Sequence, residues 1–180
     1  MRILILALAV ATIAATTAAV KADPVEKPWT VKLGAGWPTQ GQAKNDGGST
    51  EFAAGVDYAP EKTTANNPAL GSVYADYIGG TKSGGHLYSY GIGVAAKAYG
   101  TTPSGNTQTG ASPYYGAGVG IYHTDDKDAG VSSNRTNLGA KLFAGLEFSG
   151  NYLVEVGYHF LPKANGADPS AFIASVGLRF

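Results

Sequence analysis

From residue 29 onward, apolar and polar positions alternate one by one, in stretches separated by clusters of Gly, Pro, Asn, Asp, Ser and Thr. A period of two belongs to a strand with unlike faces, because successive side chains point to opposite sides. The alternation predicts eight strands, over 29–37, 51–58, 72–78, 87–98, 114–122, 137–148, 152–160 and 171–180. In each strand one parity is apolar. The first places Trp29, Val31, Leu33, Ala35 and Trp37 there; the seventh places Tyr152, Val154, Val156, Tyr158 and Phe160. The opposite parity carries every charge in these strands: Lys32, Glu51, Asp57, Asp76, Lys97, Lys141, Glu147, Glu155 and Arg179. It also carries most of their glycines, such as Gly93, Gly118 and Gly145.

Which parity faces outward decides the architecture. In a water-soluble sandwich or barrel the apolar parity forms the core and the other meets solvent. That solvent face would be unusually rich in glycine, which weakens strands, and poor in charge. The whole chain holds 26 Gly in 180 residues and only 14% charged residues. In a membrane barrel the arrangement inverts, with the apolar parity against lipid and small or paired polar residues inside. Eight strands enclose a space just wide enough for side chains to fill. Aromatic pairs at strand ends, Trp29/Trp37, Tyr152/Phe160 and Phe172/Phe180, match girdles at two membrane interfaces. Eight residues of tilted strand separate each pair by roughly 20 Å, close to the apolar band of such barrels. The expected fold is therefore an all-β, eight-stranded, antiparallel up-and-down transmembrane β-barrel.

The segment ahead of the first strand has a different character. Met1-Arg2, the apolar run from Ile3 to Ala11 and the short residues of Val20-Lys21-Ala22 read as a cleaved signal peptide over 1–22. Its apolar stretch is too short for a membrane-spanning helix. The barrel domain is then 23–180, with 11 basic and 13 acidic residues and a formal charge of −2. That balance argues against nucleic-acid binding. With no Cys, disulfide scaffolds and thiolate zinc sites are excluded.

Three segments carry a family likeness. Tyr114-Tyr115-Gly116-Ala117-Gly118-Val119-Gly120-Ile121-Tyr122, Leu153-Val154-Glu155-Val156-Gly157-Tyr158-His159-Phe160 and the ending Val176-Gly177-Leu178-Arg179-Phe180 resemble the small outer-membrane β-barrel family. The resemblance spans essentially the whole of 23–180. It implies an outer-membrane location in a Gram-negative-type envelope, contact with outer-membrane lipids and lipopolysaccharide, and a monomer. It also implies that Phe180 is a C-terminal signal for the outer-membrane barrel assembly machinery. Short turns on the periplasmic side and long outer loops are expected. Segments 59–71 and 99–113, periplasmic in this reading, are long for that pattern.

Candidate chemistry is sparse. Gly116-x-Gly118-x-Gly120 lacks the spacing and the following helix of a dinucleotide loop and reads as barrel interior. Asp125-Asp126-Lys127-Asp128 reads as a solvated acidic turn, without the alternating oxygens of a calcium loop. Asn134-Arg135-Thr136 matches a glycosylation sequon, a short and unspecific pattern. His159 points inward, with Glu155 on the same face. Some lipid A deacylases of this barrel class use a His, a Ser two residues later and a Glu. Here Leu161 stands at the Ser position, so the nucleophile that acyl transfer requires is missing. No catalytic, cofactor-binding or metal-ligating set is expected.

The most informative polar set follows from strand direction. Lys32, Asp57, Lys97, Glu147, Glu155 and Arg179 fall together near the periplasmic end of the interior, three of each sign. Buried charges are tolerated when paired. The expectation is a neutral ion-pair plug in the lumen, with Arg179 facing Glu155 on the adjacent strand. The leading function is a non-enzymatic structural or surface-interaction role in the cell envelope. The alternatives are a narrow conduit for small apolar molecules and, given the missing nucleophile, less favourably a lipid-modifying enzyme.

Overall fold

The computed structural model describes residues 27–60, 69–82, 84–100, 111–128, 131–148, 151–164 and 166–180. The expected signal peptide over 1–22 lies outside them. Eight strands follow in chain order: β1 (Trp29–Pro38), β2 (Glu51–Tyr58), β3 (Ala69–Lys82), β4 (Gly85–Tyr99), β5 (Ala111–Asp128), β6 (Val131–Phe148), β7 (Tyr152–Phe160) and β8 (Ala171–Arg179). Each pairs antiparallel with the next, and β8 returns to β1 to close the barrel. Where every strand has two neighbours, closure leaves the wall without the open edges that an isolated sheet would expose. The seam is fastened at the chain end, where Trp29 and Phe180 exchange both backbone bonds at 3.1 and 2.9 Å.

The period-two pattern sets the faces as expected. Leu33, Ile92, Ile121, Val156 and Val176 stand exposed on the exterior, while the intervening residues point inward. Aromatics ring the exterior near both ends. Trp29 packs on Tyr58 with centroids 4.7 Å apart at the end bearing the seam, and Tyr158 meets Phe160 and Phe172 at 4.6 and 4.9 Å towards the other. Such an exterior has no partner in water; a bilayer covers it.

Four strands outrun their sequence-based bounds. β3 begins at Ala69 and ends at Lys82, β4 covers Gly85–Tyr99, β5 covers Ala111–Asp128 and β6 covers Val131–Phe148. Their far ends form two tall hairpins, joined through 83–84 and 129–130. The stretch Asp125-Asp126-Lys127-Asp128, expected as a turn, is therefore strand, and Asp126 is buried. Above an apolar band both faces of a hairpin are polar, so the alternation that marks a strand disappears while its hydrogen bonds continue. The same extension shortens the long segments at the seam end to 59–68 and 100–110.

The hairpin end of the barrel carries a short helix, α1 (Gly41–Asp46), with Ala43 fully buried beneath it. Residues 161–164 and 166–170 lie at the same mouth, pinched by reciprocal bonds between Ala164 and Ala167 at 3.0 and 2.8 Å. Thr39 ties the two together by donating to the Ser170 carbonyl at 3.0 Å.

Candidate functional site: the packed lumen

The inward parity is where the unusual residues meet. Glycines on the wall leave room for large side chains lying against it. A Cβ on Gly93 would come within 2.6 Å of the Tyr74 hydroxyl, and one on Gly145 within 2.6 Å of the Tyr114 hydroxyl. Gly139 stands in the same relation to Tyr122, also at 2.6 Å. Alternating glycine and tyrosine is thus a packing device for a narrow cylinder.

The charges lie in three connected tiers. Nearest the seam end, the Arg179 guanidinium pairs with Glu147 Oε1 at 3.1 Å, and Tyr99 donates its hydroxyl proton to Glu147 Oε2 at 2.7 Å. Lys97 lies 4.2 Å from the centroid of the Tyr114 ring, a cation–π contact. In the middle tier Lys32 Nζ sits 2.9 Å from both Asp57 and Glu155, while Tyr114 donates to Glu155 at 3.1 Å. Towards the hairpin end Lys141 Nζ pairs with Asp76 at 2.9 Å and rests 3.5 Å over the Tyr74 ring. Tyr122 donates to Asp76 at 3.2 Å, and His159 Nδ1 is 3.9 Å from the same carboxylate. Lys141 and Asp57, 4.0 Å apart, link the upper tiers.

All six residues expected in the lumen point inward, and five of them join these ion pairs; Lys97 packs instead on tyrosine. One expected pairing differs. Arg179 faces Glu147, two strands away, and not Glu155 on the adjacent strand. The stagger of a closed barrel brings residues level across an intervening strand, here past Leu153, which pairs with both Glu147 and Gly177. Asp76, Lys141, Tyr74, Tyr99, Tyr114 and Tyr122 belong to the same network but were not assigned to it by sequence. Their signal was available: inward parity, and for Tyr74, Tyr114 and Tyr122 a glycine beside the ring. With Asp76 and Lys141 the set holds four formal charges of each sign.

Two cavities of about 20 Å³ flank the middle tier, each with room for roughly one water. Both are lined by Lys32 and Glu155, which are bridged at 2.9 Å. His159 is enclosed against Asp76, and the Leu161 side chain after it is also buried. The Ser170 hydroxyl accepts the Leu161 N–H at 3.1 Å. Phe180 sits exposed at the seam.

The closed eight-stranded architecture is shared with solved proteins. Neisserial surface protein A aligns at a TM-score of 0.56 and 17% identity, over 85% of this chain and 97% of its own. Ail, the attachment invasion locus protein of Yersinia pestis, aligns at 0.51 and 15%, over 87% of this chain and all of its own. The fold is that of the small outer-membrane β-barrels. No protein-family model and no curated protein matches the chain by sequence. An outer-membrane barrel fold accounts for the inverted polarity of the wall, because its solvent is lipid outside and packed side chains within.

Proposed function

We propose that this chain is a monomeric integral outer-membrane barrel with a non-enzymatic role in the envelope, presenting its hairpin end to the outside as an interaction surface. The observation that carries the reading is the inversion of the wall: Ile92, Ile121 and Val156 outside, Lys32, Asp76 and Lys141 inside. With the seam end periplasmic, the extended hairpins of β3–β4 and β5–β6 stand beyond the outer girdle. Outer-membrane lipids and lipopolysaccharide cover the apolar band. The Phe180 side chain, exposed at the periplasmic rim, is the feature the assembly machinery would read.

The lumen supports a structural reading over a conduit. A pore needs an unbroken wet path, whereas Lys32 and Glu155 are bridged inside the lumen and line two one-water cavities. Enzymatic lipid modification has little support, since His159 lies enclosed beside Asp76 with Leu161 where a nucleophile would stand. The surface role is supported by the reach of the hairpins, and by two similar barrels whose names are those of a surface protein and an attachment protein. Membrane fractionation with heat-modifiable gel migration tests the location: a chain that stays in solution without detergent refutes it. Steady single-channel steps in planar bilayers would overturn the sealed-lumen reading.

A further inference from the structure

β6 is taller than the strand that follows it. It pairs with β5 from Val131 to Phe148, but with β7 only from Ala140, which lies opposite Phe160. Above that level, among the described residues, no strand lies on its other side. Residues 134–138 are exposed one after another, unlike the alternating wall below. β7 stops for a chemical reason: Pro162 lacks the N–H that would continue a ladder. The Leu161 N–H turns to Ser170 Oγ instead, carrying the chain over the mouth. The result is roughly 30 Å of strand with one side open.

The facing of the amides follows from one bond. In an antiparallel ladder the N–H and C=O of a residue point to the same side, and neighbours point to opposite sides. Leu138 N–H is bonded at 2.9 Å by the side chain of Asn137, not by β5. Residues 132, 134 and 136 therefore also turn their backbone groups to the open side. Asn137 blunts the lower end of this edge. Above it stand no Pro and no bulge, Arg135 is the one charged guard, and the register with β5 runs unbroken.

A row of backbone donors and acceptors at strand spacing is complementary to another extended polypeptide. Arg135, exposed, is the single charge between residues 132 and 138. Two copies paired antiparallel about this stretch would set Arg135 against Arg135, and like charges placed opposite each other destabilise a pair. We propose that residues 132–138 are a docking edge that adds an extended, acid-bearing segment of a partner protein as a strand beside β6, in the line β7 leaves empty. This rests on the surface-interaction reading and gives the partner its chemistry.

The test uses the whole protein in lipid nanodiscs, an eight-residue peptide of alternating Thr and Glu, and its Thr–Lys counterpart, with amide exchange read residue by residue. The acidic peptide is expected to slow exchange at 132, 134 and 136 by roughly tenfold or more, and the basic one far less. Asn134→Pro removes an open-side N–H without touching the β5 ladder and abolishes the effect. Arg135→Glu, which leaves the backbone intact, reverses the preference between peptides. Unchanged exchange at millimolar acidic peptide overturns the docking edge, as does equal slowing in Asn134→Pro. Slowing that grows with protein concentration alone assigns the edge to a second copy and overturns it too. Labelling of Lys127 in intact cells by a membrane-impermeant amine reagent separates the two levels: labelled hairpins with a silent edge sink this inference only, whereas unlabelled hairpins sink the surface reading beneath it.

Discussion

Arg179 pairs with Glu147 across β7 at 3.1 Å and leaves Glu155 to Lys32 and Tyr114. Apart from Lys32 with Asp57, on the neighbouring strands β1 and β2, the lumen ion pairs do not run from one strand to the next. They span the cylinder and tie non-adjacent strands, so the lumen acts as a brace against ovalisation of the wall.

That pairing has a measurable signature. In a double-mutant cycle on unfolding in lipid vesicles, Arg179→Ala and Glu147→Ala are expected to couple by about 1–3 kcal/mol. Arg179→Ala and Glu155→Ala should be additive within about 0.5 kcal/mol. Coupling to Glu155 instead would mean that the adjacent-strand pairing, not this one, exists in the membrane.

Lys32 is the keystone of the middle tier, being within 2.9 Å of two carboxylates. Lys32→Met strands Asp57 and Glu155 in a buried setting, and breaking such a pair costs about 3–5 kcal/mol. The double variant Lys32→Ala, Glu155→Ala removes the bridged pair that lines both cavities. Planar bilayers should stay silent with the natural protein and show steps with the double variant. Equal silence in both would mean that other tiers seal the interior.

How much of this was legible in the sequence depends on where a strand sits. β1, β2 and β7 match their expected bounds within a residue, because one face meets lipid and the other the lumen along their whole length. The tip of β6 was illegible: Ser132, Asn134 and Thr136 are all polar and exposed, so nothing in their polarity marks a strand. Inward direction could be read for Lys32, Asp57, Glu147, Glu155 and Arg179 from parity alone. Partner choice could not, because it is set by stagger between non-adjacent strands. Tyr74 and Tyr122 show the converse case, where inward parity beside glycine carried a signal that polarity alone did not raise.

Glycine in the wall makes a prediction of opposite sign at two sites. A methyl on Gly93 would meet the Val119 carbonyl oxygen first and the Tyr74 ring at 2.6 Å, whereas one on Gly41 would meet nothing within 4 Å. Gly93→Ala should cost about 1–3 kcal/mol by overpacking. Gly41→Ala, in α1, should be neutral or stabilising by up to about 1 kcal/mol. Adding Tyr74→Leu to Gly93→Ala removes the ring part of the obstacle and leaves the Val119 carbonyl, so the pair should cost somewhat less than the sum of its parts. A strictly additive pair would show that ring and glycine do not share the space.

The exterior offers the sharpest separation between lipid and water as the solvent of this wall. Ile121 and Val156 project from the middle of β5 and β7 and are more than half exposed, at 57% and 57%. In water a lysine at either place would be harmless or helpful, since the side chain already meets solvent. At the midplane of a bilayer it costs about 2–4 kcal/mol, falling to about 0–1 kcal/mol near the interfaces. Ile121→Lys should therefore lower the unfolding free energy in vesicles by that larger amount, and Thr136→Lys, beyond the girdle on the β6 tip, by little. The gradient is the decisive quantity, because a general intolerance to lysine would affect both sites alike. Equal and small costs at Ile121 and Thr136 would mean that the apolar wall does not face hydrocarbon, and the assignment of inside and outside would fail with it.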